Sequence, residues 1–219
     1  MISREKYEEG KFRKFGKSNP EIMNVDFWKA MIQSGVPAWT ARQQFGDEGE
    51  GEPVWCFSRF GKTITALPDG RFVEIAGEHE DSYDPDFCIY NDVTLHEGDG
   101  KVTVFGYPKE IFPPTDFHSA TLVEDCIFII GSLGYSGDRI SKKTPVYRLN
   151  CSIFAIEEIQ TSGENPGWIS HHRARYERDS IYITSGKVWT AEGSTEQYTD
   201  NSATYRLNLV TMRWTIEGS

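Results

Sequence analysis

Oxygen and imidazole donors crowd into one short stretch, Glu78-His79-Glu80-Asp81-Ser82-Tyr83-Asp84-Pro85-Asp86. His79, Asp81, Asp84 and Asp86 are the types a hard divalent cation takes. The order lacks the alternating acids, glycine and terminal glutamate of a calcium loop, so the simpler reading is a solvated acidic loop. His171 and His172 are adjacent, and neighbours on a strand point to opposite faces, so they do not form a joint metal site. Gly131 to Gly137 has neither the lysine nor the following helix of a phosphate-binding loop. Cys56, Cys88, Cys126 and Cys151 show no C-x-x-C spacing, which excludes a zinc ribbon or thioredoxin-like pair and reads as four reduced, buried thiols. No Ser-His-Asp, Cys-His or paired-carboxylate set stands out.

The elements around these residues are short strands. Leu122-Val123 and Cys126–Ile130 flank Glu124-Asp125; Tyr176 and Ile181–Thr184 flank Arg178-Asp179; Leu67 and Phe72-Val73 flank Pro68-Asp69-Gly70. Each is an apolar, β-branched or aromatic run bounded by turn residues, hence a hairpin. Cys126-Ile127-Phe128-Ile129-Ile130 is apolar at every position, which predicts a strand covered on both faces. The hairpins also recur. Phe117-His118-Ser119-Ala120, then Ile127–Ser132, then Tyr147-Arg148-Leu149-Asn150, are followed by His172-Arg173-Ala174, Ile181–Gly186 and Tyr205-Arg206-Leu207-Asn208. An earlier copy is found at Val73–Gly77 and Tyr90, with Gly77 aligned to Gly131 and Tyr90 to Tyr147. His118 and His172 share a phase, which predicts a structural role for both.

A period of this length marks a repeat architecture. The His-Ser-Ala strand, the apolar strand ending in glycine, the Tyr-x-Leu-Asn turn and Trp214 resemble the kelch repeat of galactose-oxidase-like proteins, over residues 58–219. The glycine pair of that family is reduced here to Gly77-Glu78, Gly131-Ser132 and Ser185-Gly186. The resemblance implies a mainly β fold: a small, three-repeat partial β-propeller of four-stranded blades at about 58–112, 113–165 and 166–219. Three blades leave open edges, and self-association into a homodimer that closes them is the favoured expectation. Some relatives in that family are copper-radical oxidases or sugar epimerases. A copper site of that kind needs two histidines, two tyrosines and a cysteine on one axis, and two of the five histidines here already have structural roles.

In such a fold the connections after each apolar strand, residues 78–87, 132–144 and 187–202, emerge on one rim. Loops on a rigid scaffold carry binding residues disproportionately. The candidate partner-binding residues are therefore Tyr83, Asp84, Asp86, Tyr135, Arg139, Trp189 and Tyr198, with aromatic rings as anchors. Substituting Tyr135 or Trp189 is expected to weaken binding and to leave folding intact.

Residues 1–52 differ in kind and form an extension ahead of the β region at 53–219. Asn24 reads as the cap of a helix that Gly35 stops, and Pro37 as the start of a second helix running to Phe45. The apolar surface these present, Phe27, Trp28, Met31, Ile32, Trp39 and Phe45, is expected to pack on the first blade. Gly46–Pro53 reads as a flexible acidic linker. A net charge of −10 argues against nucleic acid as a partner. The chain has neither a run of ~20 apolar residues nor a signal-peptide core, which reads as a cytoplasmic protein that does not cross a membrane. The resulting expectation is a non-catalytic module that binds a protein or peptide, without a cofactor. The alternative is an enzyme, or metal-dependent recognition of a small molecule, at the same rim.

Overall fold

A computed structural model describes residues 2–47, 52–80, 82, 84–193 and 195–217. The N-terminal part contains α1 (Arg4–Gly10), β1 (Glu21–Ile22), α2 (Asp26–Ser34) and α3 (Ala38–Phe45). Gly35 stops α2 in the left-handed conformation, and its N–H returns to the Met31 carbonyl. The cap at the other end differs from expectation: Val25 precedes α2, with no side chain on the helix N–H groups. α1 was not anticipated, because its sequence is almost wholly charged; Ser3 caps it and Tyr7 anchors it in the core.

The rest is mainly antiparallel sheet, and none of the sheets closes on itself. The first includes β2 (Thr63–Ala66) and β3 (Phe72–Ile75), and the hairpin β4 (Glu78–His79) and β5 (Cys88–Ile89) leads on to its other strands, β6 (Val93–His96) and β7 (Val102–Gly106). The second contains β8 (Ser119–Val123), β9 (Cys126–Ile130), β10 (Val146–Asn150) and β11 (Ile156–Glu158). After β12 (Ser162–Gly163) and β13 (Trp168–Ser170), the third has β14 (Arg173–Glu177) and β15 (Ser180–Thr184). The hairpin β16 (Lys187–Glu192) and β17 (Thr195–Asp200) leads on to its last strands, β18 (Thr204–Asn208) and β19 (Arg213–Glu217). Each sheet is a four-stranded meander in chain order; β1 adds to the edge of the first beside β7, and β12 to the third beside β19.

Register corrects the alignment of the repeats. Ile75 pairs with Thr63, Ile130 with Ser119 and Thr184 with Arg173. Counting on from these, Gly131 corresponds to Ala76 and Ser185, and all three residues have positive φ. The glycine pair of the first repeat is therefore Ala76-Gly77, one residue earlier than the spacing suggested. The residue opposite Ile75 is Val93, where the second repeat has Val146. Tyr90 thus lies outside the strand and does not correspond to Tyr147.

The sheets are joined where their inner strands begin. Gly61, Phe117 and His171 occupy one phase, each with positive φ. The Phe117 N–H donates to the Gly61 carbonyl (2.8 Å) and the His171 N–H to the Phe117 carbonyl (2.9 Å). One residue on, the His118 ring bonds the Thr63 hydroxyl and the His172 ring the Ser119 hydroxyl, both at 2.8 Å. The shared phase of the two histidines is thus structural: each ties its strand to the inner strand of the preceding sheet. Gly131 sits where a Cβ would lie 2.3 Å from the Ile169 carbonyl oxygen, and its φ of +74° favours glycine in any case.

β9 is covered on both sides, as its unbroken apolar run requires. Ile127 and Ile129 join Val73, Ile75, Val93 and Leu95 of the first sheet, while Phe128 and Ile130 join Ile181, Ile183 and Leu207 of the third. The N-terminal helices pack as expected on the first sheet's side: Phe27, Trp28 and Met31 share a cluster with Trp55, Tyr90 and Val104. Trp39 is the exception and stays exposed. Among the described residues no helix is long and apolar enough to cross a membrane.

Candidate functional site

The three expected rim segments do meet, but as interlocked structure. Residues 187–202 are mostly the β16–β17 hairpin, which pairs with β13 through Trp168 opposite Trp189. Arg139 ties the second segment to the third: its guanidinium donates to the carbonyls of Leu133 (2.9 Å) and Gly134 (3.0 Å), to the Tyr198 hydroxyl and to Glu196. It also lies over the rings of Trp189 and Tyr198. Tyr135 ties the second to the first. Its hydroxyl accepts the Ile89 N–H at 2.8 Å, and its ring meets Phe87 edge-on.

Trp189 is 5% exposed and donates to Glu196 at 3.1 Å. Its ring is packed within the fold, which argues for a loss of stability on its removal. Tyr198 is the open aromatic, at 44% exposure. Asp86 is paired with Arg42 of α3 at 2.6 Å. The main-chain carbonyl of Asp84 accepts the Phe87 N–H. Tyr83 and Asp81 lie outside the described residues. Among the described residues no group of three or more His, Cys, Asp or Glu is disposed to hold a metal ion.

Beside Tyr135 opens a cleft of about 440 Å³. Pro113 and Pro114 of the connection between the first two sheets line it, with Tyr135, Ile140, Tyr147 and Trp168 from the second and third repeats. Arg13, Lys109 and Lys143 bring positive charge, and Glu110 and Asp138 negative. The Trp168 indole is committed to the Leu133 carbonyl at 3.0 Å and so offers only its ring surface. Burial pushes the Tyr147 phenol far above the ordinary range, with Glu158 adding to it, so its hydroxyl keeps its proton and can donate.

Under this cleft is a carboxyl pair that the sequence did not disclose. Asp116 is fully buried; its Oδ1 accepts the Gly134 N–H at 2.6 Å and the Ser132 hydroxyl at 3.2 Å, and both of those residues line the cleft. Burial raises its pKa against the opposing hydrogen bonds of Gly134, Glu78 and Ser132. Glu78 is itself buried, at 8% exposure. Register offered the one available signal: Asp116 stands at the phase held by Phe60 and Ser170.

A second cluster lies at the start of the acidic stretch. The His79 Nε2 is 3.3 Å from Glu80 Oε1, and nearby the Cys56 thiol donates to the Ser58 carbonyl at 3.3 Å. The imidazole assigned above to a cation set thus faces the carboxylate of its neighbour. No family model matches this chain, and a comparison with curated proteins found no match.

Proposed function

We propose that the three sheets are blades of an open, kelch-like propeller and that the chain is a binding module whose rim captures a protein or peptide segment in the cleft beside Tyr135. The cleft carries this reading. It is concave, combines aromatic and proline surfaces with charge of both signs, and has the Tyr147 hydroxyl as a donor, which is how peptide grooves and small-ligand sites are built. Aromatic walls of this kind suit an extended segment that inserts one apolar side chain. The tie between Asp116, Ser132 and Gly134 keeps the cleft wall rigid, which limits the ordering cost of binding.

Peptide selection from a displayed random library against the whole protein tests this. Selected peptides should lose about tenfold in affinity on Ile140→Asp and on Tyr147→Phe, with thermal unfolding unchanged. Equal affinity for both variants would remove the cleft from the binding site. Selection of small molecules at the cleft, with no peptide recovered, would favour the small-molecule alternative.

A further inference from the structure

The cleft beside Tyr135 restricts the backbone that its occupant can have. Of the residues that line it, Tyr147 and Trp168 alone lie in strands. Tyr147 is held between Ile129 and Glu158 of the neighbouring strands. Beside Trp168, the Ile169 carbonyl accepts the Ser132 N–H at 2.9 Å and the Gly167 carbonyl accepts the Thr144 hydroxyl at 2.7 Å. Among the described residues no strand edge therefore opens into the cleft, and a peptide cannot enter by joining a sheet. What the cleft offers is hydrogen-bond donors. The Tyr135 hydroxyl accepts the Ile89 N–H at 2.8 Å and an Arg13 guanidinium N–H at 3.4 Å, so both lone pairs are taken and only its own proton is left, without an acceptor among the described residues. The Tyr147 hydroxyl has no hydrogen-bond partner among the described residues. The rest of the wall is ring surface, from Trp168, Pro113, Pro114 and Pro145 as well as the two tyrosines. With Lys143 paired to Glu158 at 2.6 Å, the charges of Arg13 and Lys109 balance those of Glu110 and Asp138, which suits an uncharged segment.

We infer that the segment this cleft takes is a proline-rich stretch in the polyproline II conformation, with main-chain carbonyls accepting from the Tyr135 and Tyr147 hydroxyls and proline rings lying on Trp168; the inference rests on the cleft being the peptide site. A ligand that matches two phenol donors and a wall of rings has free carbonyl acceptors, few N–H groups that need a partner, and flat apolar surface. Polyproline II has all three: it makes no internal hydrogen bonds, its carbonyls stay open, and proline has no N–H. It is also extended before it binds, which lowers the ordering cost. Aromatic-lined grooves are the general site for such segments. A β-strand ligand, by contrast, would leave its N–H and C=O groups without the sheet edge that satisfies them.

Fluorescence anisotropy of a labelled, end-capped proline decamer titrated with the full chain tests this, beside a decamer of alternating L- and D-proline, which has the same composition but cannot wind as polyproline II. The all-L decamer should bind, and the alternating one should bind about tenfold more weakly or not at all. Ile140→Asp and Tyr147→Phe should each weaken the all-L decamer about tenfold, with thermal unfolding unchanged. Equal binding of the two decamers would overturn the inference, as would binding of the all-L decamer that neither variant alters. Failure of the all-L decamer while displayed peptides still bind, and still lose affinity on Ile140→Asp, would also overturn it and leave the cleft as the peptide site. Failure of every peptide would remove both.

Discussion

The second and third sheets share strand order, register and inter-sheet histidines, yet one is buried on both faces and the other on a single face. Phe128 and Ile130 of the second sheet are buried against the third, and Val146 joins them. At the corresponding positions the third sheet carries Tyr182, Thr184 and Thr204, and beside them Arg173, Arg175 and Arg206, all intermediate or exposed. Arg173 stands where the preceding sheets place Ser119 and Thr63, the hydroxyls that receive the next histidine. The third sheet is therefore finished as an end, with a polar outer face in place of a stacking face, as terminal units of repeat proteins require. The first sheet is finished by the N-terminal helices. Both ends are covered or solvated within one chain.

Several substitutions would sharpen or break that contrast. The largest effect is expected at Phe128→Ala, which should cost about 3–5 kcal/mol in urea unfolding, against about 1 kcal/mol or less for Tyr182→Ala at the matching position. Similar costs would mean that the third sheet's outer face is buried in solution. Gly131→Ala forces a Cβ onto the Ile169 carbonyl and should cost about 2 kcal/mol or more. By contrast, Ser185→Gly, at the same phase, should stay within about 1 kcal/mol of the unaltered chain, because φ there is +55°. A strongly destabilised Ser185→Gly variant would contradict the register.

The histidine ties predict a pH dependence. Burial lowers His118 to about 3, with the His172 charge adding to it, and lowers His172 to about 4, with His171 contributing. The Nδ1 atom of each ring has no hydrogen-bond partner among the described residues, so neither ring holds a second proton well. Both folded-state values lie below the ordinary 6.5, so the unfolded chain binds protons first. Stability should be full above about pH 6.5 and fall by up to about 1.4 kcal/mol per pH unit per histidine toward pH 4. Asp116, raised in the fold, acts in the opposite sense: its contribution is lost as pH rises through its folded value. Melting curves from pH 4 to 8 should show the histidine slope, and a flat profile over pH 4 to 6.5 would show that the rings are protonated in place. The smallest effect belongs to Arg175→Gln on the open face of the third sheet, expected within about 0.5 kcal/mol.

Much of the scaffold was legible. The apolar run at Cys126–Ile130, the hairpins at Glu124-Asp125 and Arg178-Asp179, and the shared phase of His118 and His172 all follow from periodicity and turn chemistry, which are local. The meeting of Tyr135, Arg139, Trp189 and Tyr198 was legible as a place, but not that the polar atoms of Trp189 and Tyr135 are engaged within the fold by Glu196 and the Ile89 N–H. The buried carboxyls Glu78 and Asp116 were not legible as neighbours. They are 38 residues apart, and no spacing rule relates them.

The sequence by itself determined a mainly β chain of repeated hairpins, because strand period, turn residues and apolar runs are properties of a few neighbouring residues. Tertiary structure alone decided which glycine answers which, which sheet ends the stack, and which polar groups meet in the interior. Those outcomes depend on register and burial, where a shift of one residue turns a side chain to the opposite face and loss of water sets the charge of whatever it meets.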